Sequence, residues 1–318
     1  DPVLRPRAHR ETLLLLSLIQ CYLGEAEAAY ANAVAGTERG ETLNSPFVTA
    51  VGHMRQGHAW LIGDDPDRYA QAERCFQRTI EIGEQISVAR LKVEADWGLC
   101  RVYGQQGRLA QAEAVAREGI EIGTRAGAEW VTAYIRVAKG SGYVLAGRYD
   151  EALPWLARAE TDFRECGDDL GVAAARLWLC LAWYERGDEV RFAQGIDDLL
   201  GAVRSHGYEF LLTRRTLASL PEPSRAVPLL IAARGREQWA AYAGSLLARM
   251  GLAGIEFHPG YTLRVQALGA FKVWRGVEEV EASDWQRDKA RQLFQLLLTH
   301  RRTTLDRDKI CGILWPEL

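Results

Sequence analysis

The sequence predicts a mainly α-helical chain, in which a superhelical stack of helix pairs is followed by a small α+β domain. Three observations predict it. A phrase of about 15 residues recurs every 40 residues in the first two thirds of the chain. The periodicity of apolar residues changes from helical to strand-like after Pro259-Gly260. The composition, with 48% hydrophobic and 25% charged residues, is that of a folded globular protein.

The repeat is marked by glycines at a constant interval. Similar segments begin at Gly107, Gly147 and Gly187, and a second glycine series with the same spacing lies at Gly127, Gly167 and Gly207. Glycine adopts positive φ at little cost, so each of these residues is expected to end one helix before the next begins. The interval therefore predicts one helix, a turn and a second helix in each repeat.

Small and aromatic residues occupy fixed places in each repeat. A small residue precedes an aromatic residue by three positions, which places both on one helix face. These pairs are Gly57 with Trp60, Cys100 with Tyr103, Gly140 with Tyr143, and Cys180 with Trp183. The following helix carries an alanine at the matching place, at Ala72, Ala112 and Ala152. The pattern predicts close approach of two helix backbones there, and stacked repeats that bury their apolar faces against one another.

This pattern resembles the tetratricopeptide (TPR) repeat, and the 40-residue period is similar to the sensor arrays of MalT-like ATP-dependent transcription regulators. The resemblance implies a TPR-like α-α superhelix over residues 1–207. Residues 208–257 are interpreted as a helical cap, with turns at Pro221-Glu222-Pro223 and at Pro228, and 258–261 as a linker. The last repeat departs from the pattern at Glu189 and Phe192 and is still expected to be helical.

A different domain is expected from residue 262. Residues 263–269 alternate apolar and polar side chains, as a half-buried strand does, and Phe271 and Val273 predict a second strand. A third short strand is expected near VEEVE, and another at Thr303 to Leu305. Between them, a helical stripe is formed by Ala290, Leu293, Phe294 and Leu297, and Asp306 is a candidate N-cap for a last helix.

The stretches LRVQALGAFKVWRG, DWQRDKARQLFQLLLTH and ILWPEL resemble the DNA-binding domain of SARP-type activators, an OmpR/PhoB-type winged helix. In that family a recognition helix and a wing follow the last of these stretches, and neither follows here. The resemblance therefore implies an incomplete winged-helix domain and a chain cut at both ends, which binds no specific DNA site alone. Cations expected to contact phosphates in an intact domain, unless they are merely solvated, are Arg287, Lys289, Arg301, Arg302 and Lys309.

A ligand or partner groove is predicted on the inner wall of the array. By analogy with TPR helices, the residues expected there are Met54, His58, Glu94, Trp97, Arg101, Tyr134, Ser141 and Tyr184. Such a mixture of aromatic and polar side chains suits a peptide, a protein segment or a small effector. The alternative is a solvated wall with aromatic filling.

The sequence contains no motif that indicates an enzyme. It has no GxxxxGK[ST], HExxH, CxxC or GxSxG motif, so no cofactor is expected in this chain, and ATP is implied only for a missing upstream module. The acidic pairs Asp64-Asp65, Asp168-Asp169 and Asp197-Asp198 are expected at or near helix starts, where acids stabilise the helix dipole. The six cysteines are interpreted as reduced thiols, and no apolar run is long enough for a membrane span. A cytoplasmic location is expected.

The sequence is compatible with two functions. The first is the sensor and part of the output domain of a bacterial transcription regulator. The second is a TPR-type protein-interaction scaffold, whose partial winged-helix domain serves as a packing or dimerisation surface.

Overall fold

The computed structural model describes residues 11–258, 260, 263–275, 278–285, 287–300 and 304–316. It divides into two compact units, one ending at Phe257 and the other beginning at His258. None of the helices in the described ranges is long and apolar enough to cross a membrane.

The first unit begins with ten α-helices, each packed against the next. In chain order they are α1 (Thr12–Leu23), α2 (Ala26–Thr42), α3 (Pro46–Ile62), α4 (Arg68–Gln85), α5 (Ala89–Gln105), α6 (Leu109–Arg125), α7 (Glu129–Leu145), α8 (Tyr149–Cys166), α9 (Asp169–Arg186) and α10 (Glu189–His206). The odd-numbered helices also pack against one another, α1 on α3, α3 on α5, α5 on α7 and α7 on α9. The odd helices therefore form one continuous wall, which is called the odd-helix wall below.

Glycine turns join the helices as the repeat predicts. Gly147 and Gly187 have φ values of +74° and +72°, the left-handed conformation that an L side chain rarely adopts. The other four glycines of the two series have φ values between +66° and +71°. The predicted glycine turns between helices are confirmed at all six positions.

The small residues allow close packing between helices, as expected. The Sγ of Cys100 lies 3.6 Å from the carbonyl oxygen of Ala112. The Phe76 ring fills the space beside two glycines: a Cβ placed on Gly57 would lie 2.8 Å from that ring, and one on Gly98 would lie 2.2 Å from it. The small residues of α3 and α5 thus act as the holes into which a side chain of α4 inserts.

The aromatic members of the pairs join neighbouring repeats. The Tyr103 hydroxyl donates a hydrogen bond of 2.9 Å to a carboxylate oxygen of Glu73, and Tyr143 donates in the same way to Glu113, forty residues further on. Each bond links an odd helix to the even helix of the preceding repeat. Each buried tyrosine keeps its polar tip satisfied while its ring packs in the core.

Two of the three acidic pairs lie at or near helix starts, as predicted. The side chain of Asp168 caps α9 by accepting from Gly171 N at 2.9 Å, and Asp64-Asp65 lies in the turn that precedes α4. The expectation for Asp197-Asp198 was wrong, because both residues lie inside α10. Asp197 instead accepts hydrogen bonds from Arg236 at 3.0 Å and from the Trp239 indole at 2.7 Å, which fastens the following segment to the array.

The rest of the first unit is less helical than a simple cap. It contains α11 (Phe210–Thr213), α12 (Val227–Arg234) and α13 (Ala240–Arg249), with short 3-10 helices at Pro223–Ala226 and Glu237–Trp239. Residues 214–222 form no helix.

The second unit contains a three-stranded antiparallel sheet in the order β1 (Leu263–Gln266), β2 (Lys272–Arg275) and β3 (Glu278–Glu279). Val265 pairs with Val273, so the predicted alternation sets the register. Two helices follow, α14 (Asp288–Thr299) and α15 (Arg307–Leu314), and the side chain of Asp306 caps α15 through Lys309 N at 2.7 Å.

Two expectations for this unit were not met. Thr304 and Leu305 are not in a strand, and Thr303 lies outside the described residues. The α14 stripe is only partly covered: Leu293 and Phe294 are half-buried, whereas Ala290 and Leu297 are exposed.

Candidate ligand groove on the repeat array

The odd-helix wall brings most of the predicted groove residues into one aromatic cluster. The His58 ring lies 4.8 Å from that of Trp97, and the Trp97 ring lies 4.7 Å from that of Tyr134, between centroids. Met54 from α3 is buried with them. Because α3, α5 and α7 are adjacent in the wall, residues 39 and 37 positions apart in sequence meet side by side.

The cluster is not an open groove, because another part of the chain covers it. We call residues 214–221 the internal segment. Thr216 through Leu220 are all buried, with at most 4% of their surface exposed. The amide of Leu217 donates to the carbonyl oxygen of Cys21 in α1 at 2.9 Å, and Arg101 Nη2 donates to the carbonyl oxygen of Thr216 at 3.3 Å. The wall thus holds a short non-helical segment partly through its main chain.

Local hydrogen bonds give the internal segment a bend and satisfy its buried backbone. Ser219 Oγ accepts from Thr216 N at 2.7 Å and donates to Arg214 O at 2.8 Å. Thr216 Oγ1 accepts from the amides of Ala218 and Ser219 at 3.2 and 3.0 Å. Serine and threonine side chains thereby replace the secondary-structure partners that a buried backbone requires.

The contacts of the internal segment imply that the odd-helix wall is curved. Arg215 reaches the turn after α3, where it donates to Gly63 O at 2.7 Å and pairs with Asp64 at 2.6 Å. Other segment residues contact α1 and α5, and line one cavity with side chains of α5, α7 and α9. Five helices side by side span roughly 32–40 Å, whereas the eight residues of the internal segment span roughly 26–29 Å at most. The wall must therefore bend around the segment.

Little space remains between the internal segment and the wall. The cavity bounded by Leu217, Ala218 and Ser219 and by the wall has a volume of about 10 Å³, which is at the lower limit for one water molecule. A ligand that reaches this covered part of the odd-helix wall must consequently displace the segment.

The covered wall carries positive charge. Arg101 is 7% exposed, and burial lowers its pKa to about 10 even though nearby Tyr22 and Cys21 oppose the shift. His58 is fully buried, and burial, followed by the charges of Arg55 and Arg101, holds its pKa well below the ordinary value. The imidazole is therefore neutral at pH 7, while the Arg101 guanidinium remains charged.

Several polar atoms of this wall have no hydrogen-bond partner among the described residues. They are Arg55 Nε, both ring nitrogens of His58, Arg101 Nη1 and Gln105 Oε1. Buried polar groups are almost always paired with protein atoms or ordered water, so these atoms offer hydrogen-bonding capacity that the described residues leave unused.

Two of the remaining predicted groove residues have other surroundings, and one lies at the cavity. Glu94 forms ion pairs with Arg90 at 3.0 Å and Arg55 at 3.7 Å. Ser141 lines the cavity under the internal segment, and its hydroxyl donates to a carbonyl of its own helix, that of Ala138. Tyr184 is 38% exposed and packs against Phe192 of the same repeat, with ring centroids 5.3 Å apart. Tyr184 is not among the residues that line the cavity under the segment.

Sequence reasoning missed six contributors to this cavity. One is the internal segment itself, and the other five are Gln105, Val137, Ala138, Ala174 and Trp178. The 40-residue interval was a sufficient signal for two of them, since Ala174 and Trp178 follow Tyr134 and Ala138 by that interval. Nothing local in the sequence indicated that Leu217 to Ser219 lie on the wall, because that contact joins distant parts of the chain.

In the second unit, three of the five cations predicted to bind phosphate lie in the described ranges. Lys289 donates from Nζ to the carbonyl oxygen of Leu314 and lies 5.7 Å from the Trp315 ring, so it joins α14 to the end of α15. Arg287 directly precedes α14, and Lys309 is exposed in the first turn of α15. Arg301 and Arg302 lie outside the described residues.

Comparison with known proteins extends the description of the fold. The sequence matches no family model and no curated protein. Among solved structures, the crystal structure of a Rap protein complexed with competence and sporulation factor is similar, with a TM-score of 0.58 and 13% sequence identity. The match covers 79% of this chain and 73% of that chain. The protein described here therefore has a mainly helical, TPR-like repeat fold.

Proposed function

We propose that the repeat array is a protein-interaction module, whose odd-helix wall binds a short non-helical polypeptide segment. The observation that carries the proposal is the internal segment: the wall already holds such a segment through main-chain hydrogen bonds to Thr216 and Leu217. Main-chain contacts provide affinity for any chain in the right conformation, and pockets for side chains provide selectivity.

The similar fold of the Rap protein supports this proposal, since that protein was crystallised in complex with competence and sporulation factor. We propose that the present array acts in the same general manner, as the sensor of a signalling protein. The partner replaces residues 214–221 on the wall. All six cysteines are free, which agrees with the cytoplasmic location that we propose.

A synthetic peptide of residues 211–223 tests the proposal. In a variant with Leu217→Ser and Leu220→Ser, the internal segment loses two buried leucines, at a cost of roughly 2–5 kcal/mol each. We call it the released variant. Fluorescence anisotropy should show the labelled peptide binding at least tenfold more tightly to the released variant than to the wild type, where the native segment competes.

The matched control removes two buried leucines from α10 instead, with Leu199→Ser and Leu200→Ser. This variant should bind the peptide no better than the wild type does, because its internal segment is intact. A scrambled peptide should not bind. If the released variant is folded by circular dichroism and does not bind the peptide, the odd-helix wall is not a polypeptide site.

A second candidate function concerns the second unit and has its own observation. A three-stranded antiparallel sheet precedes two helices, the second of which is capped by Asp306. On this order and on the resemblance of its sequence, we propose that the unit is part of a winged-helix output domain in a MalT-like or SARP-type regulator. DNA would be contacted through the intact domain, an upstream module would supply the ATPase, and a small molecule is an alternative effector.

This second proposal predicts only weak, salt-dependent binding of the present chain to generic duplex DNA. Replacement of a cation that contacts phosphate, such as Lys309→Gln, should flatten the slope of log affinity against log salt by about 1. A sequence-dependent mobility shift at physiological salt would contradict the expectation, and so would a complete lack of binding at low salt.

A further inference from the structure

We infer that Arg101 is a carboxylate-recognition point on the odd-helix wall, and that the partner which displaces the internal segment is an acidic peptide. The inference rests on the proposed function and adds the chemistry of the partner. Its starting point is a guanidinium group that is almost wholly buried and has one unpaired nitrogen, Nη1.

Within the described ranges, no carboxylate forms an ion pair with Arg101. The partner that the structure provides is the Thr216 carbonyl oxygen, at 3.3 Å from Nη2. A neutral carbonyl compensates a buried positive charge poorly, whereas a carboxylate accepts two parallel, charge-assisted hydrogen bonds from one guanidinium. The internal segment thus fills the position without matching its charge.

Three carboxylates near this part of the wall are directed elsewhere. Asp96 of the same helix lies against Gly119 of α6. Glu94 pairs with Arg55 and Arg90. Asp168 accepts from the Trp130 indole at 2.7 Å and from the Gly171 amide at 2.9 Å, and so serves to cap α9. The charge of Arg101 is left for a group that this part of the chain does not supply.

The surroundings of Arg101 also favour an anion. A second guanidinium, that of Arg55, and the neutral ring of His58 lie close enough for both arginines to depress the histidine pKa. The buried Tyr22 hydroxyl also lies close enough to influence Arg101. These groups offer N–H and O–H donors in a region of low dielectric, where attraction to a negative charge is strong.

The available volume makes a peptide the appropriate occupant. The remaining cavity of about 10 Å³ does not hold a carboxylate, so the ligand must take the volume that the segment vacates. Thr216 to Leu220 are buried along the wall, which corresponds to five residues of chain. A peptide with an aspartate or glutamate near Arg101 fills that volume and supplies the charge.

An aspartate–asparagine scan of the 211–223 peptide tests this inference. Peptides that carry Asp, and matched peptides that carry Asn, at each position from 216 to 219 are titrated against the released variant at low ionic strength. Asp and Asn have the same shape, so their affinity ratio isolates the charge. We expect the Asp peptide to bind at least tenfold more tightly than the Asn peptide at one position or more.

The same ratio is then measured in the released variant that also carries Arg101→Gln, Arg101→Leu or Arg101→Lys. The ratio should fall to near 1 with Gln and Leu and should be partly retained with Lys. Because each ratio is internal to one protein, a general weakening of the wall cancels. A preference for Asp that survives Arg101→Leu would assign the charge recognition to another residue and overturn the inference.

The possible outcomes separate the two proposals. If the parent peptide binds but no Asp peptide binds better than its Asn counterpart, the carboxylate site is refuted and the polypeptide site stands. If no peptide binds, the proposed function itself fails. If sodium acetate alone, at millimolar concentration, raises the melting temperature of the released variant as much as the best Asp peptide does, the site recognises a free anion and the acidic-peptide partner is excluded.

Discussion

Asp96 is a buried carboxylate whose ionisation should destabilise the repeat array. It lies in α5, is 1% exposed, and its Oδ2 atom has no hydrogen-bond partner among the described residues. Burial raises its pKa to about 7 from the ordinary 3.8, although Lys92 opposes the shift. The neighbouring α6 approaches closely at Gly119, where a Cβ would lie 3.0 Å from that of Asp96. Water is therefore kept from the carboxylate.

The sign of the effect follows from the direction of the pKa shift. The folded state holds the proton up to about pH 7, whereas the unfolded state releases it near pH 3.8. Below the lower value the group does not affect stability. Between the two values the free energy of unfolding falls as the pH rises, and above pH 7 it is constant again. From pH 5 to pH 8 the loss is on the order of 2–3 kcal/mol, at about 1.4 kcal/mol per unit of pH over which only the folded state is protonated.

The test compares the wild type with Asp96→Asn, which retains the shape and cannot ionise. Urea unfolding at pH 5, 6.5 and 8 gives the free energy of unfolding of each protein. The wild type should lose roughly 2–3 kcal/mol relative to Asp96→Asn over this range. Glu185→Gln, at an exposed carboxylate, is the control and should show a constant difference. If the Asp96→Asn difference is also constant within about 0.5 kcal/mol, the carboxylate is hydrated or paired and the reasoning is wrong.

Two further predictions concern packing and capping. Gly98→Ala should destabilise the array by about 1–3 kcal/mol, because the new Cβ would lie 2.2 Å from the Phe76 ring. Gly201→Ala is the control: a Cβ there meets nothing within 4 Å, so the change should be neutral or stabilising by up to about 1 kcal/mol. Equal shifts of the melting temperature for both variants would contradict the packing argument. Asp306→Ala removes the cap on Lys309 N and should lower the stability of α15 by about 1 kcal/mol. Amide hydrogen exchange in α15 should then be roughly fivefold faster. Unchanged exchange would mean that the cap does not stabilise the helix.

The repeat architecture could be predicted because its causes are local. A glycine at Gly147 or Gly187 permits positive φ wherever that turn occurs, and a small residue such as Cys100 permits close helix contact with whatever alanine follows. Both signals recur at a fixed interval, so each copy supports the others. The strands of the second unit were predictable for the same reason, since alternation at Val265 and Val273 encodes both the strand and its inner face.

The candidate site was predicted only in part. His58, Trp97 and Tyr134 were expected on one wall, and they do meet there. Their burial was not expected, and neither was the position of Tyr184 beside Phe192. The residue 40 positions after Ser141 is Leu181, not Tyr184. The choice of Tyr184 therefore departed from the 40-residue interval.

The amino-acid sequence by itself determined where the helices begin and end, which residues let them approach, and that their apolar faces must stack. The tertiary structure alone decided that residues 214–221 return to the odd-helix wall, where the amide of Leu217 meets a carbonyl of α1 almost 200 residues earlier in the chain. Periodicity reports on neighbours within one or two turns of a helix. A contact between residues so far apart produces no local sequence pattern, because the contacts that stabilise it exist only once the whole wall has formed.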